Sequence, residues 1–344
     1  MTGNVSIDLS LANIWKSWQK FHKGKKPSSE IEYFSYNLEQ NLFKLYTELS
    51  EGSYQHSGYR KFFVTDNKRR EISVAQVKDR VVHRLVYEYL LPIDIIFDFD
   101  AWSCRKYKGL IAAIERVQNK AKCYKNHFVW RADIKKFFDN INQNKLMRLI
   151  GNKISDPEAF WLIEKIIKSY SVCTKKRGLD NNNAGSNSRE RERESSSAFG
   201  RGMPIGNLTS QIFANIYLSE LDHWVRTRCK PEAYIRYGDD FLVLSPKLEN
   251  LKSIREDVIR FLKNELSLEV NSKNDKIIKV RHGIRYLGVV IYPSGRTLSE
   301  RNIKRISERL KLKNAASYRS LIEKHQKAYR KLFTWLILEK ICDG

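Results

Sequence analysis

The chain has 344 residues, 42% of them apolar and 12% aromatic, which excludes a disordered protein and supplies core enough for two or three subdomains. Its 63 Lys and Arg outnumber 39 Asp and Glu, a net charge of +24 of the kind used to bind nucleic acid or anionic membranes. No apolar run of about 18 residues and no leader-like start occurs, and basic residues are spread through every segment, so nucleic acid is favoured over membrane in a cytoplasmic setting.

Leu11, Ile14, Trp15 and Trp18, then Leu38, Leu42, Leu45 and Leu49, recur at helical spacing and predict helices across residues 8–50, broken at "KKPSS". "YRKFFVTDNKRREISV" (59–74) reads as a hairpin turning at "TDNKR", and residues 76–97 as a helix. "HFVWRAD" (127–133) is a short strand ending on a carboxylate, followed by helical "NKLMRLI" and "PEAFWLIEKIIKSY". Residues 174–202 carry almost no apolar side chain and read as a flexible insertion. "MPIGNLTSQIFANIYLSELDHWV" leads through a turn into a helix. Then come strands around Asp239, a helix near 249–266 and strands near 276–292. Ser299 reads as the cap of a helix carrying Ile303, Ile306 and Leu310, and a last helix carries Leu321, Ile322, Tyr329, Leu332, Phe333 and Leu336. With no regular βαβ rhythm, the class is α+β. Cys104, Cys123, Cys173, Cys229 and Cys342 form no CxxC and read as reduced thiols rather than a disulfide frame or zinc site.

The chemistry concentrates in "RYGDDFLVL" (236–244). Asp239 and Asp240 repel each other and resist losing water, so between two apolar flanks they need either a solvated turn or a cation. In "HFVWRAD" the alternation sets Val129, Arg131 and Asp133 on one strand face. If the two strands are neighbours, three carboxylates converge, as in a two-magnesium centre for attack of a hydroxyl on an α-phosphate.

"YGDD" together with "RADIKKFFDNIN" resembles the catalytic centre of bacterial reverse transcriptases. The likeness extends in order through "KRREISVAQVKDRVVHRLV", "AWSCRKYKG", "GMPIGNLTSQIFANIYL", "LEVNSKNDKI" and "GIRYLGVVI" and covers most of the chain. It implies a right-hand polymerase fold with a mixed or antiparallel palm sheet: an N-terminal helical extension at 1–55, fingers at 56–125, palm at 126–292 and a short helical thumb at 293–344. The activity implied is RNA-directed DNA polymerisation on an RNA template, with a DNA or RNA primer and dNTPs. Two Mg²⁺, for which Mn²⁺ can substitute, would be held at Asp133, Ile134, Asp239 and Asp240.

The same likeness assigns Lys68, Arg69 and Arg70 to the triphosphate, Arg70 foremost, and includes Arg105 and Ile134 among the substrate contacts. Lys273 would protonate the departing pyrophosphate. Phe138, five residues after Asp133, stands where the family places an aromatic that excludes a 2′-hydroxyl, with Phe137 left to the core. That gate argues against an RNA-directed RNA polymerase, and the intact carboxylates argue against a non-catalytic RNA-binding scaffold. Gly206 would let backbone approach the template–primer pair.

"IGNLTSQ" carries Ile205 and Gln211 where many relatives have Gln and Pro. That variant is similar to the reverse transcriptases of diversity-generating retroelements and to some antiviral defence-associated ones, and implies an error-prone enzyme. Only 56 residues follow Gly288, in which Lys304, Arg305, Arg309, Lys311 and Lys313 could meet phosphates. The expectation is a polymerase alone, working with a non-coding RNA, a small basic accessory protein, or both.

Overall fold

The computed structural model of the chain describes residues 6–65, 69–170, 200–310, 312–325, 333–335 and 337–338. Expectations that fall on Lys68, Cys173, residues 174–199, Lys311, Tyr329, Leu332, Leu336, Cys342 and the side chains of Lys313 and Leu321 lie outside the described residues. The backbone forms two compact units, each drawn from three stretches: Met1–Asp98, Ile134–His223 and Arg260–Glu269 in the first, Phe99–Asp133, Trp224–Ile259 and Val270–Gly344 in the second.

The first unit opens with α1 (Leu11–His22), α2 (Ser29–Tyr36), α3 (Leu38–Ser50), β1 (Tyr59–Thr65), β2 (Arg69–Ala75) and α4 (Val77–Leu90). The second begins with α5 (Leu110–Cys123) and β3 (Phe128–Asp133). The chain returns to the first unit for α6 (Phe137–Asn140), α7 (Gln143–Gly151), α8 (Pro157–Lys168) and α9 (Leu208–Trp224). Then follow β4 (Ala233–Tyr237), β5 (Asp240–Ser245) and α10 (Leu248–Leu266), whose last turns belong to the first unit. β6 (Lys276–Lys279), β7 (Ile284–Tyr286), β8 (Val289–Tyr292), β9 (Gly295–Leu298), α11 (Glu300–Arg309) and α12 (Leu312–His325) complete the second.

Local chemistry sets the helix ends. The Ser10 side chain accepts from Asn13 N at the start of α1, and Ser299 does the same for Asn302 N at α11, as its position before the apolar repeat predicts. Asp156 caps α8, where Pro157 takes the first turn that has no use for its missing N–H. The break at "KKPSS" is present, and Asn37 adds a second between α2 and α3. Trp15, placed by spacing on the buried face of α1, is instead 42% exposed, while Ile14, Trp18 and Phe21 carry the packing.

β1 and β2 pair antiparallel from Tyr59↔Ala75 to Thr65↔Arg69, and six of the seven β1 residues are exposed. The second unit holds a four-stranded antiparallel sheet in the order β4-β5-β3-β6 and a three-stranded one, β7-β8-β9. One face of the larger sheet, with Val129, Ile235, Leu242 and Leu244, shares a core with Ile114, Val117 and Ala121 of α5 and with Ile284, Ile291 and Ile306. On the opposite face Trp130 meets Phe241 edge to face at 5.2 Å. No helix among the described residues is long and apolar enough to cross a membrane.

Candidate active site

Strand register brings two carboxylates together. Asp133, the last residue of β3, faces Asp240, the first of β5, which also faces Tyr237 across the β4–β5 ladder. Only Gly238 and Asp239 remain for the hairpin loop. Gly238 stands at its first central position with φ +63°, a conformation that costs a residue with a Cβ about 1 kcal/mol or more. Alternation then sorts one face of the β3–β5 pair into Val129 opposite Leu244, Arg131 opposite Leu242 and Asp133 opposite Asp240. The face turns from apolar to charged within three residue pairs.

The pair is held asymmetrically. Asn271 donates its backbone N–H to Asp133 O at 2.8 Å and its side-chain amide to Asp133 Oδ2 at 3.2 Å. Arg131 Nη2 lies 3.7 Å from Asp240 Oδ1, too far for a hydrogen bond. Asp133 Oδ1 and Asp240 Oδ1 are both cut off from solvent, and neither accepts a hydrogen bond. Burial pushes the Asp240 carboxyl up to about 6; Arg131 opposes that shift, and Asp239 and Asp133 add to it.

Two buried carboxylate oxygens on one strand face that accept no hydrogen bond are hard donors that suit a small divalent cation. Asp239 sits half-buried at the loop tip. Among the described residues no three His, Cys, Asp or Glu side chains are gathered as a closed metal cage. The structure therefore joins Asp133 with Asp240 and leaves Asp239 beside them, because successive residues through a two-residue turn cannot share one strand face. Ile134 has a buried aliphatic side chain and can offer a metal only its backbone carbonyl.

A brace unforeseen in the sequence stands behind this turn. Arg236 is fully buried, and its Nη1 donates to Gly238 O at 3.0 Å. Its backbone pairs with a strand-like segment along the edge of β4: Arg236 N to Asp100 O at 2.9 Å and Trp102 N to Arg236 O at 2.9 Å. The buried Asp100 carboxylate accepts Arg116 Nε at 2.7 Å and Nη2 at 3.1 Å, Arg226 Nη2 at 3.3 Å and Trp102 Nε1 at 3.3 Å. The available signal was an arginine at an inward position of "YIRYGDD".

Of the remaining second-unit candidates, Lys273 is exposed in the turn that carries Asn271, its N–H donating to Asn271 Oδ1 at 3.2 Å. Arg105 Nη1 donates to Ala101 O at 3.0 Å and so ties down its own loop.

The other expected contacts belong to the first unit; the chain passes between units at Asp133–Ile134. Arg69 and Arg70 are exposed on β2, Arg69 lying 4.0 Å over the Phe63 ring. Phe137 is buried and meets the Tyr217 ring at 6.4 Å, while Phe138 is half-buried and its carbonyl accepts Met203 N at 2.8 Å. Gln211 is exposed on α9. Ile205 O accepts Ser73 N at 3.0 Å, and a Cβ on Gly206 would fall 2.8 Å from Ile72 Cγ2. The close approach that Gly206 permits is thus to β2, at φ +114°. Asn207 was missed in the sequence: its amide donates to Ser73 O at 2.8 Å, and its Oδ1 accepts Ala75 N at 3.2 Å. It is buried and stitches the 205–207 loop along the edge of β2.

Residues 59–291 match the family model described as reverse transcriptase (RNA-dependent DNA polymerase), and the chain belongs to that family. Its fold is accordingly the right-hand polymerase fold, its enzyme class that of the RNA-directed DNA polymerases, and members of the family generally work with divalent metal ions. The chain is similar to protein YkfC of Escherichia coli, 25% identical over 70% of this chain and 68% of YkfC. It is also similar to the group II intron-encoded protein LtrA of Lactococcus lactis, 22% identical over 73% of this chain and 49% of LtrA. The solved structure of telomerase from Candida albicans with a fragment of telomeric RNA aligns with 84% of this chain and 55% of that one, at 13% identity and a TM-score of 0.46.

Proposed function

We propose that this chain extends a DNA or RNA primer on an RNA template with dNTPs, that its reaction centre is the Asp133–Asp240 pair with Asp239 at the adjoining tip, and that it copies with low fidelity within a diversity-generating retroelement. The observation that carries the reaction centre is the pair of buried oxygens, Asp133 Oδ1 and Asp240 Oδ1, that accept no hydrogen bond. Two Mg²⁺ ions, when bound, supply a lowered pKa at the primer 3′-hydroxyl and neutralise charge on the phosphates. The chain's own residues do the rest. Asn271 orients Asp133, and Arg236 fixes the carbonyl of Gly238 so that the turn does not reorganise during reaction. Arg69 and Arg70, with Lys68, receive the triphosphate. Lys273 gives a proton to the departing pyrophosphate. Phe138 stands beneath the sugar, and Ile205 and Gln211 replace the polar brace and the proline found in many relatives.

In this reading residues 56–125 are the fingers, 126–292 the palm and 293–344 the thumb, with Lys304, Arg305 and Arg309 toward the phosphates. The retroelement assignment rests on "IGNLTSQ". The same residues also occur in defence-associated enzymes that work with a non-coding RNA, so the flanking locus separates the two contexts. The test is primer extension on poly(rA)/oligo(dT) with Mg²⁺ by the native chain and by Asp239→Asn and Asp240→Asn. Both variants should lose extension while binding the primed template nearly as before, because binding rests on phosphate contacts. Extension at the native rate by either variant removes the metal assignment.

A further inference from the structure

We propose that the loop from Ser103 to Gly109 is a landing platform for an unpaired nucleic-acid strand beside the catalytic turn, a proposal that rests on reading Asp133–Asp240 as the reaction centre. Position comes first. Asp100 and Trp102 are hydrogen-bonded to Arg236 along the edge of β4, so the loop leaves the sheet where the "YGDD" turn begins. A Cβ on Gly238 would lie 3.8 Å from Ser103 Oγ, which puts loop and turn in van der Waals contact.

Strain comes second. Cys104 and Tyr107 both adopt left-handed backbone, φ +57° and +61°, and neither is a glycine. Such conformations cost about 1 kcal/mol or more each and persist where surrounding bonds enforce them. Here the bonds are Arg105 Nη1 to Ala101 O, Lys108 N to Arg105 O at 3.2 Å, and Lys108 Nζ to Phe99 O. The loop is a rigid bracket.

What the bracket displays comes third. Tyr107 is 91% exposed and Phe99 67%. Lys106 Nζ stands 4.9 Å from the Tyr107 ring, and Lys108 Nζ stands 4.7 Å from Phe99 and 4.9 Å from Trp102. Between Ala101 and Gly109 there are three cations and no carboxylate. Exposed rings interleaved with cations match a single strand: every base has a π-face to stack, and every linkage has a phosphate. A paired duplex offers its bases to no such ring. The net charge of +24 on the whole chain disfavours a basic protein as the occupant.

The test uses the full chain without dNTPs or metal, titrated against a labelled oligo(U) of about 12 nucleotides, a length within the span of single-strand sites. Tyr107→Ser should weaken binding roughly 5- to 100-fold, the worth of one stacked base, with the salt slope unchanged. Lys106→Gln should flatten the slope of log K against log salt by about 0.7, one phosphate contact on a single strand. Tyr33→Ser, a ring 79% exposed on α2, should change neither. Tyr107→Trp should keep the affinity and change its fluorescence on binding, which guards against a misfolded Ser variant. Native affinity in Tyr107→Ser, or an equal loss of affinity for duplex, overturns the proposal. A chain inactive in primer extension but sensitive at Tyr107 in this titration would instead refute the polymerase reading alone.

Discussion

Asn207 offers a sharp test of how the first unit holds its loop. Its amide makes two bonds to β2, to Ser73 O and from Ala75 N, and all three residues are buried. Asn207→Ala leaves a buried carbonyl and a buried N–H without partners. Each unsatisfied group costs about 1–3 kcal/mol, so the two together should cost about 2–6 kcal/mol, a large share of the roughly 5–15 kcal/mol that holds a typical domain. Asn207→Asp separates the two bonds. The new carboxylate can accept from Ala75 N, but it sets a second oxygen against Ser73 O in a site that desolvates charge. At neutral pH it should therefore be at least as unstable as the alanine variant.

The sign of its pH dependence follows. Protonation restores an O–H donor toward Ser73 O, so the folded state binds the proton more tightly than the unfolded chain and the carboxyl pKa rises on folding. Relative to Asn207→Ala, the stability of Asn207→Asp should increase as pH falls from 7 through that raised pKa and level off below about 3.9, the unfolded value. Urea titrations of the native chain and both variants at pH 7 and pH 5 measure this. A cost within about 0.5 kcal/mol for Asn207→Ala, or an aspartate variant more stable at pH 7 than at pH 5 relative to alanine, refutes the stitch.

Phe138→Ala should raise the use of CTP relative to dCTP by roughly 10- to 100-fold in kcat/KM on one primed template; an unchanged ratio with activity retained returns Phe138 to a packing role. Ile205→Gln should lower misincorporation roughly 5- to 150-fold, the scale of a regained buried hydrogen bond, as read by deep sequencing of the cDNA. Equal error spectra would remove Ile205 from fidelity and weaken the retroelement reading. His83 is buried against His56 Nε2 at 3.0 Å and Thr209 Oγ1 at 2.5 Å, and burial pushes its pKa down to about 3. Between pH 6.5 and 3 the unfolded chain gains a proton that the folded imidazole refuses. This residue should thus remove up to about 1.4 kcal/mol of stability per pH unit on acidification. His83→Gln should show a shallower acid slope than the native chain, and parallel slopes would contradict the assignment.

Much of this fold is visible as alternation and helical spacing. "HFVWRAD" announces β3 because its even and odd residues face different packing environments, and "YGDD" announces its turn because Gly238 must take φ +63°. What stays hidden is pairing at a distance. The register that sets Asp133 opposite Asp240 depends on a strand far along the chain, and a single sequence does not state register. Arg236 and Asn207 were overlooked for a related reason: each looks like an ordinary polar residue until the backbone group it serves is known. Conversely Trp15 fits the apolar spacing of α1 yet remains 42% exposed, because spacing defines a stripe but not its width.

The division of the chain into interleaved stretches has a consequence for its birth on the ribosome. Neither unit is contiguous, so neither can be completed before most of the chain has been made. β3 pairs on both sides, with β5 and β6, and these partners emerge more than a hundred residues after it. At ribosomal speeds of about 5–20 residues per second, Val129, Trp130 and the bare edges of β3 wait for several seconds or more without partners. During that interval the unpaired edges of β3 are open to misassociation. A gene cut within residues 134–240 would separate β3 from β5, so expression of isolated halves should yield aggregates rather than working subdomains.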